Sequence, residues 1–299
     1  MKIHGFNKTT LLDYPEHLAA TIFTGGCNFR CPFCHNGGLV LDPDSQPAIP
    51  EEEVLKFLQK RRGILQGVCI TGGEPTLQPD LENFICKIKE LGYLVKLDTN
   101  GSRPEVLKAL MEQGLLDYVA MDIKASEENY ARVAGVRAPE PTAEMPAVSE
   151  KELIGRYVGT GMAVFTKKPN SLLDKIRASV DLLKNGTVPY EFRTTVVKGL
   201  HTAEEFDSIG QWLAGCSAYY LQAYRENENI LAYCESVGRS GDAEAPERPE
   251  ASEDAAASGG IAAERPLCLQ LSDFTREEME SFADTARKYI SKVELRGVE

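Results

Sequence analysis

The sequence lacks long hydrophobic runs and lacks an excess of basic residues. No stretch of roughly 18 or more apolar residues occurs, so no segment is typical of a membrane-spanning helix. The first residues, MKIHGFNKTT, lack the apolar core of a signal peptide. Asp and Glu total 45 against 33 Lys and Arg, a net charge of −12, whereas a nucleic-acid-binding protein needs a basic face. We therefore expect a cytoplasmic protein without a membrane or nucleic-acid partner.

The eight cysteines of this 299-residue chain are not distributed like a disulfide framework. Three of them are tightly clustered, which fits a reducing compartment better. The other five are scattered, and we expect them to be buried small apolar residues: Cys69, Cys86, Cys216, Cys234 and Cys268.

The clustered cysteines lie in the run GCNFRCPFCHN and are the strongest functional signal. Cys27, Cys31 and Cys34 form a ligand set that is one thiolate short of the four that close a structural zinc site or an iron–sulfur cluster. His35 is too close to Cys34 to be an easy fourth ligand. One interpretation is a zinc knuckle that lacks a ligand. The favoured interpretation is a three-thiolate site with one open coordination position, which a non-protein ligand fills.

The rest of the chain alternates between strand and helix patterns. Predicted strands cover residues 18–24, 67–71, 93–97, 117–123, 190–197 and 218–223. Predicted helices cover residues 51–62, 79–91, 104–113, 171–186, 202–215 and 275–290. The last two helices open with capping boxes, Thr202 with Glu205 and Thr275 with Glu278. This alternation predicts an α/β protein with a parallel sheet, a partial (β/α)6 TIM-like barrel.

Two acidic stretches interrupt this pattern. Residues 136–150 and 236–266 are rich in Pro, Ala, Glu and Ser and poor in large apolar residues, which predicts disordered or mobile insertions. We divide the chain into a core over 1–235 with the first insertion inside it, the acidic segment, and residues 267–299. The last part should supply a helix and a strand that complete the core.

Distinctive clusters follow the C-terminal ends of five predicted strands: CNFRCPFCHN, TGGEP, DTNG, DIKA and VVKGLH. In parallel β/α barrels the loops at this end converge on the active site. We therefore expect the five clusters to surround one active-site opening. Gly72 and Gly73 would expose peptide groups to a ligand, with the Glu74 carboxylate beside them. The alternative interpretation of TGGEP is an ordinary strand-to-helix turn.

The other clusters also have ordinary interpretations. Asn-Gly within residues 98–101 is a common turn signal, and Asp122 with Lys124 could be a solvated ion pair. Arg193 is harder to dismiss, because an arginine in a largely apolar strand needs an anionic partner or a wet interior. His201 is either a loop residue or a functional one.

At this point the residues resemble a known family. The spacing CxxxCxxC with Phe33 before the last cysteine, together with GGEP, resembles the radical S-adenosylmethionine (SAM) enzymes. GFNKTTLLDYP, DTNG, DIK, YEFRTTVV and VELRG are more narrowly similar to the anaerobic ribonucleoside-triphosphate reductase activating proteins. These are glycyl-radical activases, as is the pyruvate formate-lyase activating enzyme. Glu16 departs from that pattern, since such proteins often have glycine there, and the acidic insertions are unusual.

The resemblance implies a ligand arrangement. Cys27, Cys31 and Cys34 would hold three irons of a [4Fe-4S] cluster, and SAM would chelate the fourth. Phe33 would lie near the adenine. The methionyl amine would bind at Gly72, Gly73 and Glu74. The carboxylate side would bind at Asp98, Thr99, Asp122, Lys124 and Arg193, with a monovalent cation allowed at Asp98, Thr99 and Asp122.

The resemblance also implies an activity. SAM would be cleaved to a 5′-deoxyadenosyl radical that takes hydrogen from a glycine of a partner enzyme, anaerobic ribonucleoside-triphosphate reductase. Flavodoxin or ferredoxin would supply the electron. The alternatives are a radical enzyme that acts on another glycyl-radical enzyme or on a small molecule, an iron–sulfur electron carrier, and a zinc-binding interaction module.

Overall fold

A computed structural model of the protein describes residues 1–136, 171–227, 229–231 and 271–298. The predicted insertions at 136–150 and 236–266 lie outside the described residues except for Val136, so both stay predictions. The domain boundaries stay predictions as well. Among the predicted buried cysteines, Cys69 and Cys216 are buried, Cys86 is only partly buried, and Cys234 and Cys268 are not described.

Eight strands form one sheet, and their spatial order follows the sequence. They are β1 (Ile3–Thr10), β2 (Ala19–Thr24), β3 (Gly67–Gly72), β4 (Leu94–Thr99), β5 (Tyr118–Asp122), β6 (Tyr190–Val196), β7 (Tyr219–Ala223) and β8 (Val293–Arg296). Strand β1 is antiparallel to β2, and every later neighbouring pair is parallel. In the part of the chain that the structure describes, no pairing joins β8 back to β1, so the barrel stays open. The predicted α/β fold is therefore confirmed.

Helices connect the parallel strands. They are α1 (Gly37–Leu41), α2 (Glu51–Lys60), α3 (Leu81–Glu90), α4 (Pro104–Glu112), α5 (Tyr130–Val133), α6 (Leu172–Asn185), α7 (Ala203–Trp212) and α8 (Arg276–Arg287). Helix α3 is representative, because its buried residues recur at helical spacing: Leu81, Phe84, Ile85 and Ile88. No helix among the described residues has both the length and the apolar character needed to cross a membrane.

The two predicted capping boxes have different outcomes. Thr275 and Glu278 form the reciprocal bonds at the start of α8, as predicted. The prediction for α7 is wrong, because Thr202 makes no side-chain cap bond. Glu205 is instead buried and accepts hydrogen bonds from Ser126 Oγ and Asn129 Nδ2, both at 3.0 Å. These tertiary contacts occupy the Glu205 carboxylate that a capping box would use.

The N-terminal ends of the strands are closed by side chains. Buried Glu191 accepts a bidentate pair of bonds from Arg296 of β8, at 2.7 and 2.8 Å, and Arg296 lies 3.4 Å over the Tyr220 ring. Tyr14 from the β1–β2 loop is buried beside Gly67, where a Cβ would lie 2.8 Å from the ring. The distinctive clusters lie at the opposite end of the strands.

Candidate active site

The C-terminal ends of β2 to β7 surround a cavity of about 340 Å³. Every site residue singled out from the sequence lines it: Cys27, Cys31, Phe33, Cys34, Gly72, Gly73, Glu74, Asp98, Thr99, Asp122, Lys124 and Arg193. Four of the five sequence-distant clusters therefore converge on the cavity as expected. The fifth, VVKGLH, contributes His201, which lies behind the cavity wall. The roles of these residues remain predictions, but their proximity is a property of the fold.

The cysteine loop is held by three other segments. Glu74 N–H donates to Gly26 O at 2.8 Å, Arg30 N–H to Ala134 O at 2.9 Å, and Leu231 N–H to Cys34 O at 2.9 Å. A Cβ on Gly73 would lie 2.0 Å from Gly26 O, so only glycine permits this approach. Bonds from neighbouring segments therefore add to those within the loop, where Arg30 Nη1 donates to Cys27 O at 2.6 Å and to Phe29 O at 2.9 Å.

The three motif thiols are desolvated. Burial raises the pKa of Cys27 to about 11 and that of Cys31 to about 12, and it also raises the pKa of Cys34. Among the described residues, no three His, Cys, Asp or Glu side chains gather tightly enough to hold one metal ion. A structural zinc site needs four such donors on a single ion, whereas cluster cysteines bind separate irons. The donor set therefore fits an iron–sulfur cluster better than it fits zinc.

The Glu74 carboxylate is fully buried and satisfied by protein donors. Its Oε1 accepts from Thr76 N at 3.1 Å and from Thr99 Oγ1 at 2.8 Å, and its Oε2 accepts from Asn100 N at 2.7 Å. The Thr76 hydroxyl also donates to Oε1. Burial raises the pKa of Glu74 although these donors oppose the shift. Glu74 thus ties the TGGEP loop to the DTNG loop.

A chain of alternating charges crosses the floor of the cavity. Lys96 pairs with Asp98, Arg193 pairs with Asp98 at 3.2 Å and with Asp122 at 2.9 Å, and Lys124 pairs with Asp122 at 2.9 Å. Burial alone would raise the pKa of Asp122, but Arg193 and Lys124 outweigh it and lower that pKa to about 2. Of the three cations, Lys124 and Arg193 line the cavity, whereas Lys96 does not. Arg193 has the anionic partners that its strand position predicted, and the Asp122–Lys124 pair is largely buried rather than solvated.

The position between Asp98 and Asp122 is already cationic, because the Arg193 guanidinium bonds both carboxylates. These carboxylates and Thr99 are the residues expected to hold a monovalent cation. The Thr99 hydroxyl is moreover turned to Glu74. The monovalent cation stays a prediction.

His201 supports the site without lining the cavity. Its Nδ1 accepts from Val197 N–H at 3.0 Å, which leaves the Nε2 proton to donate to Lys124 O at 2.8 Å. Burial lowers the pKa of His201, consistent with this neutral form. Its ring also lies 6.4 Å from the ring of Phe33, and Lys124 Nζ lies 6.0 Å from that Phe33 ring. His201 therefore positions Lys124 and Phe33.

Sequence reasoning missed two asparagines in the cavity wall. Asn36 Nδ2 donates to Gly72 O at 2.8 Å and holds a glycine whose φ is +109°. Asn100 approaches Cys27 from the DTNG loop. The only sequence signal for either residue is its place within a quoted motif, CHN and DTNG.

Comparison with known proteins defines the class. Residues 21–147 match the profile of the Radical SAM superfamily. Proteins of that superfamily use a [4Fe-4S] cluster and SAM. In this chain, the matched stretch includes the three clustered cysteines that line the cavity.

Individual relatives differ in their names. A Methanocaldococcus jannaschii protein with the provisional name of glycyl-radical enzyme activating enzyme is 29% identical over 227 residues, 76% of this chain and 81% of that protein. A Thermococcus kodakarensis protein with the provisional name of GTP 3′,8-cyclase is 36% identical over 188 residues, 62% of this chain and 50% of that protein. The crystal structure of Streptococcus suis SuiB bound to precursor peptide SuiA has a TM-score of 0.47 at 14% identity, covering 69% of this chain and 39% of that one.

Proposed function

We propose that the protein cleaves SAM reductively and uses the resulting radical to generate a glycyl radical on a partner enzyme. The observation that carries this proposal is the convergence of the Cys27–Cys34 loop, the TGGEP loop and the buried charge chain on one cavity. The M. jannaschii relative supports the activase subtype, because its name refers to that activity. The partner we propose is anaerobic ribonucleoside-triphosphate reductase, on the resemblance of the short motifs.

Cys27, Cys31 and Cys34 are the residues that would hold the cluster. When bound, the cluster supplies one electron that cleaves a carbon–sulfur bond of SAM, giving methionine and a 5′-deoxyadenosyl radical. Flavodoxin or ferredoxin is the proposed source of that electron. The thiols must lose their protons to bind iron.

The remaining wall residues would bind SAM. Lys124 and Arg193, two cations that line the cavity, would bind the methionine carboxylate. The methionyl amine would bind beside Gly72 and Gly73, which line the cavity and whose missing side chains let the backbones of Thr24 and Gly26 approach closely. Phe33 offers an apolar ring to the adenine. The Glu74 carboxylate, with its four protein donors, acts here by fixing the two loops rather than through a free oxygen.

The test is anaerobic reconstitution with iron and sulfide, followed by dithionite and SAM. We expect 5′-deoxyadenosine and methionine in equal amounts. No cleavage by wild-type protein with an intact cluster would contradict the proposal. Electron paramagnetic resonance then looks for a glycyl radical on a co-expressed anaerobic reductase.

The second candidate is a radical enzyme that acts on a small molecule, which the T. kodakarensis relative favours by its name. SAM cleavage without a glycyl radical on any co-expressed partner supports this candidate over the activase. Incubation with GTP and analysis of the products by mass spectrometry would then test it directly.

A further inference from the structure

We infer that Asn100 donates a hydrogen bond to the Cys27 sulfur and thereby raises the reduction potential of the cluster, an inference that rests on the proposed cluster site. Asn100 Nδ2 lies 3.8 Å from Cys27 Sγ, within hydrogen-bonding range of a sulfur acceptor. Phe29 N–H approaches the same sulfur at 3.4 Å. Among the described residues, Cys27 is the one motif cysteine with a side-chain donor on its sulfur.

The orientation of the Asn100 amide is fixed by its neighbours. Ser102 N–H donates to Asn100 Oδ1 at 2.9 Å, so the amide oxygen is directed away from the sulfur. Asn100 Nδ2 donates its other hydrogen to Asn28 Oδ1 at 2.9 Å, and Asn28 Nδ2 donates to Ser102 Oγ at 2.8 Å. Rotating the amide would break the bonds to Ser102 and Asn28 together. The NH2 group therefore faces Cys27.

The backbone beneath Asn100 is equally constrained. Asn100 N–H donates to buried Glu74 Oε2 at 2.7 Å. The next residue, Gly101, has a φ of +74°, and a Cβ there would lie 2.1 Å from Met121 Cε. Asn100 itself is 6% exposed. Its amide is thus held next to the sulfur where water offers little competition.

Reduction adds an electron to a cluster and increases the negative charge on its sulfur ligands. A donor N–H stabilises that reduced form more than the oxidised form, and hydrogen bonds to sulfur are among the factors that set cluster potentials. Removing one neutral hydrogen bond of about 0.5–1.5 kcal/mol lowers an equilibrium constant by about twofold to tenfold. Tenfold corresponds to about 59 mV for a one-electron couple.

The experiment measures the midpoint potential of the reconstituted cluster in the full chain by spectroelectrochemical titration. The variants are Asn100→Ala and Asn100→Ser, neither of which reaches Cys27. Serine retains a hydroxyl that can accept from Ser102 N–H and so preserves the turn. Asn36→Ala is the matched control, because it removes an amide from the same cavity wall whose contact is Gly72 O. Iron and sulfide content and the spectrum of the reduced cluster are measured first.

We expect both Asn100 variants to bind the cluster. The equilibrium constant for its reduction should fall by about twofold to tenfold, which lowers the midpoint potential, and Asn36→Ala should stay near wild type. Unchanged potentials in the Asn100 variants, or an equal fall in Asn36→Ala, would overturn the inference and leave the proposed function intact. Loss of the cluster from both folded Asn100 variants would also overturn it, since Asn100 would then serve assembly. Wild-type protein that binds no cluster would refute the proposed function itself.

Discussion

Arg193→Met removes the central cation of the buried charge chain, and its consequences can be worked out from the structure. Arg193 is 12% exposed and its partners Asp98 and Asp122 are 14% and 31% exposed. Removing one partner of a buried ion pair costs about 3–5 kcal/mol, because the opposite charge is left unpaired. Lys96 and Lys124 still compensate each carboxylate in part, so we expect about 3 kcal/mol. At about 2 °C per kcal/mol, the Tm should fall by about 6 °C.

The loss of stability in Arg193→Met should depend on pH. Arg193 helps to hold the pKa of Asp122 at about 2, below the unfolded value of 3.8. The stability that this depressed pKa contributes is fully present above pH 3.8 and is lost as the pH falls through about 2. The difference in unfolding free energy between wild type and Arg193→Met should therefore be constant near neutral pH and shrink in acid.

The assay is chemical denaturation of the wild type, Arg193→Met, Asp98→Asn and the double variant. Asp98→Asn should be less damaging in the Arg193→Met background, because it removes one of the two carboxylates that the arginine had neutralised. We expect a coupling energy of about 1–3 kcal/mol between the two sites. Strictly additive effects would refute the reasoning, since the charges would then be independently solvated.

The remaining predictions concern the cation, the cluster and one strained residue. Wild-type SAM cleavage should proceed at the same rate in potassium and in choline buffers, because Arg193 already bonds both carboxylates; a potassium requirement would contradict this. Cys31→Ala should lose the cluster by iron analysis while Cys216→Ala keeps it, and equal loss would overturn the ligand assignment. Glu16→Gly should raise the free energy of unfolding by about 1 kcal/mol in denaturant titrations. The reason is that Glu16 has a φ of +65°, and a left-handed residue with a Cβ costs about 1–2 kcal/mol. No gain in stability would mean that the Glu16 side chain compensates for this cost.

The alternation of strands and helices was predictable because hydrophobic periodicity is local. Strand β1 was not predicted, since its residues IHGFNKTT are buried mainly at their two ends and alternate poorly between them. It is an edge strand that pairs with β2 alone, and edge strands carry a weaker apolar pattern. At Glu16, by contrast, the sequence departs from the expected glycine, but the backbone keeps the left-handed conformation that glycine favours.

The site could be predicted as a set of residues but not as a network. Each motif can be recognised in the sequence because its residues are adjacent in the chain. The strand topology then brings the motifs together. The bonds that define their roles link distant residues: Glu74 to Asn100 across 26 positions, Cys27 to Asn100 across 73, and Lys124 to His201 across 77. No single-sequence pattern encodes such partners.

These distant bonds give the three-cysteine loop a different physical meaning. Alone, it is a ligand set with one member missing. In the fold, Glu74 fixes the backbone of Asn100, and Asn100 in turn directs an amide at Cys27. Glu74 also donates through its N–H to Gly26, directly before the first cysteine. A change at Glu74 would therefore disturb the position of the cysteine loop and the hydrogen bonding of its sulfur at once. This double connection explains why a carboxylate without a free oxygen is buried at the centre of the site.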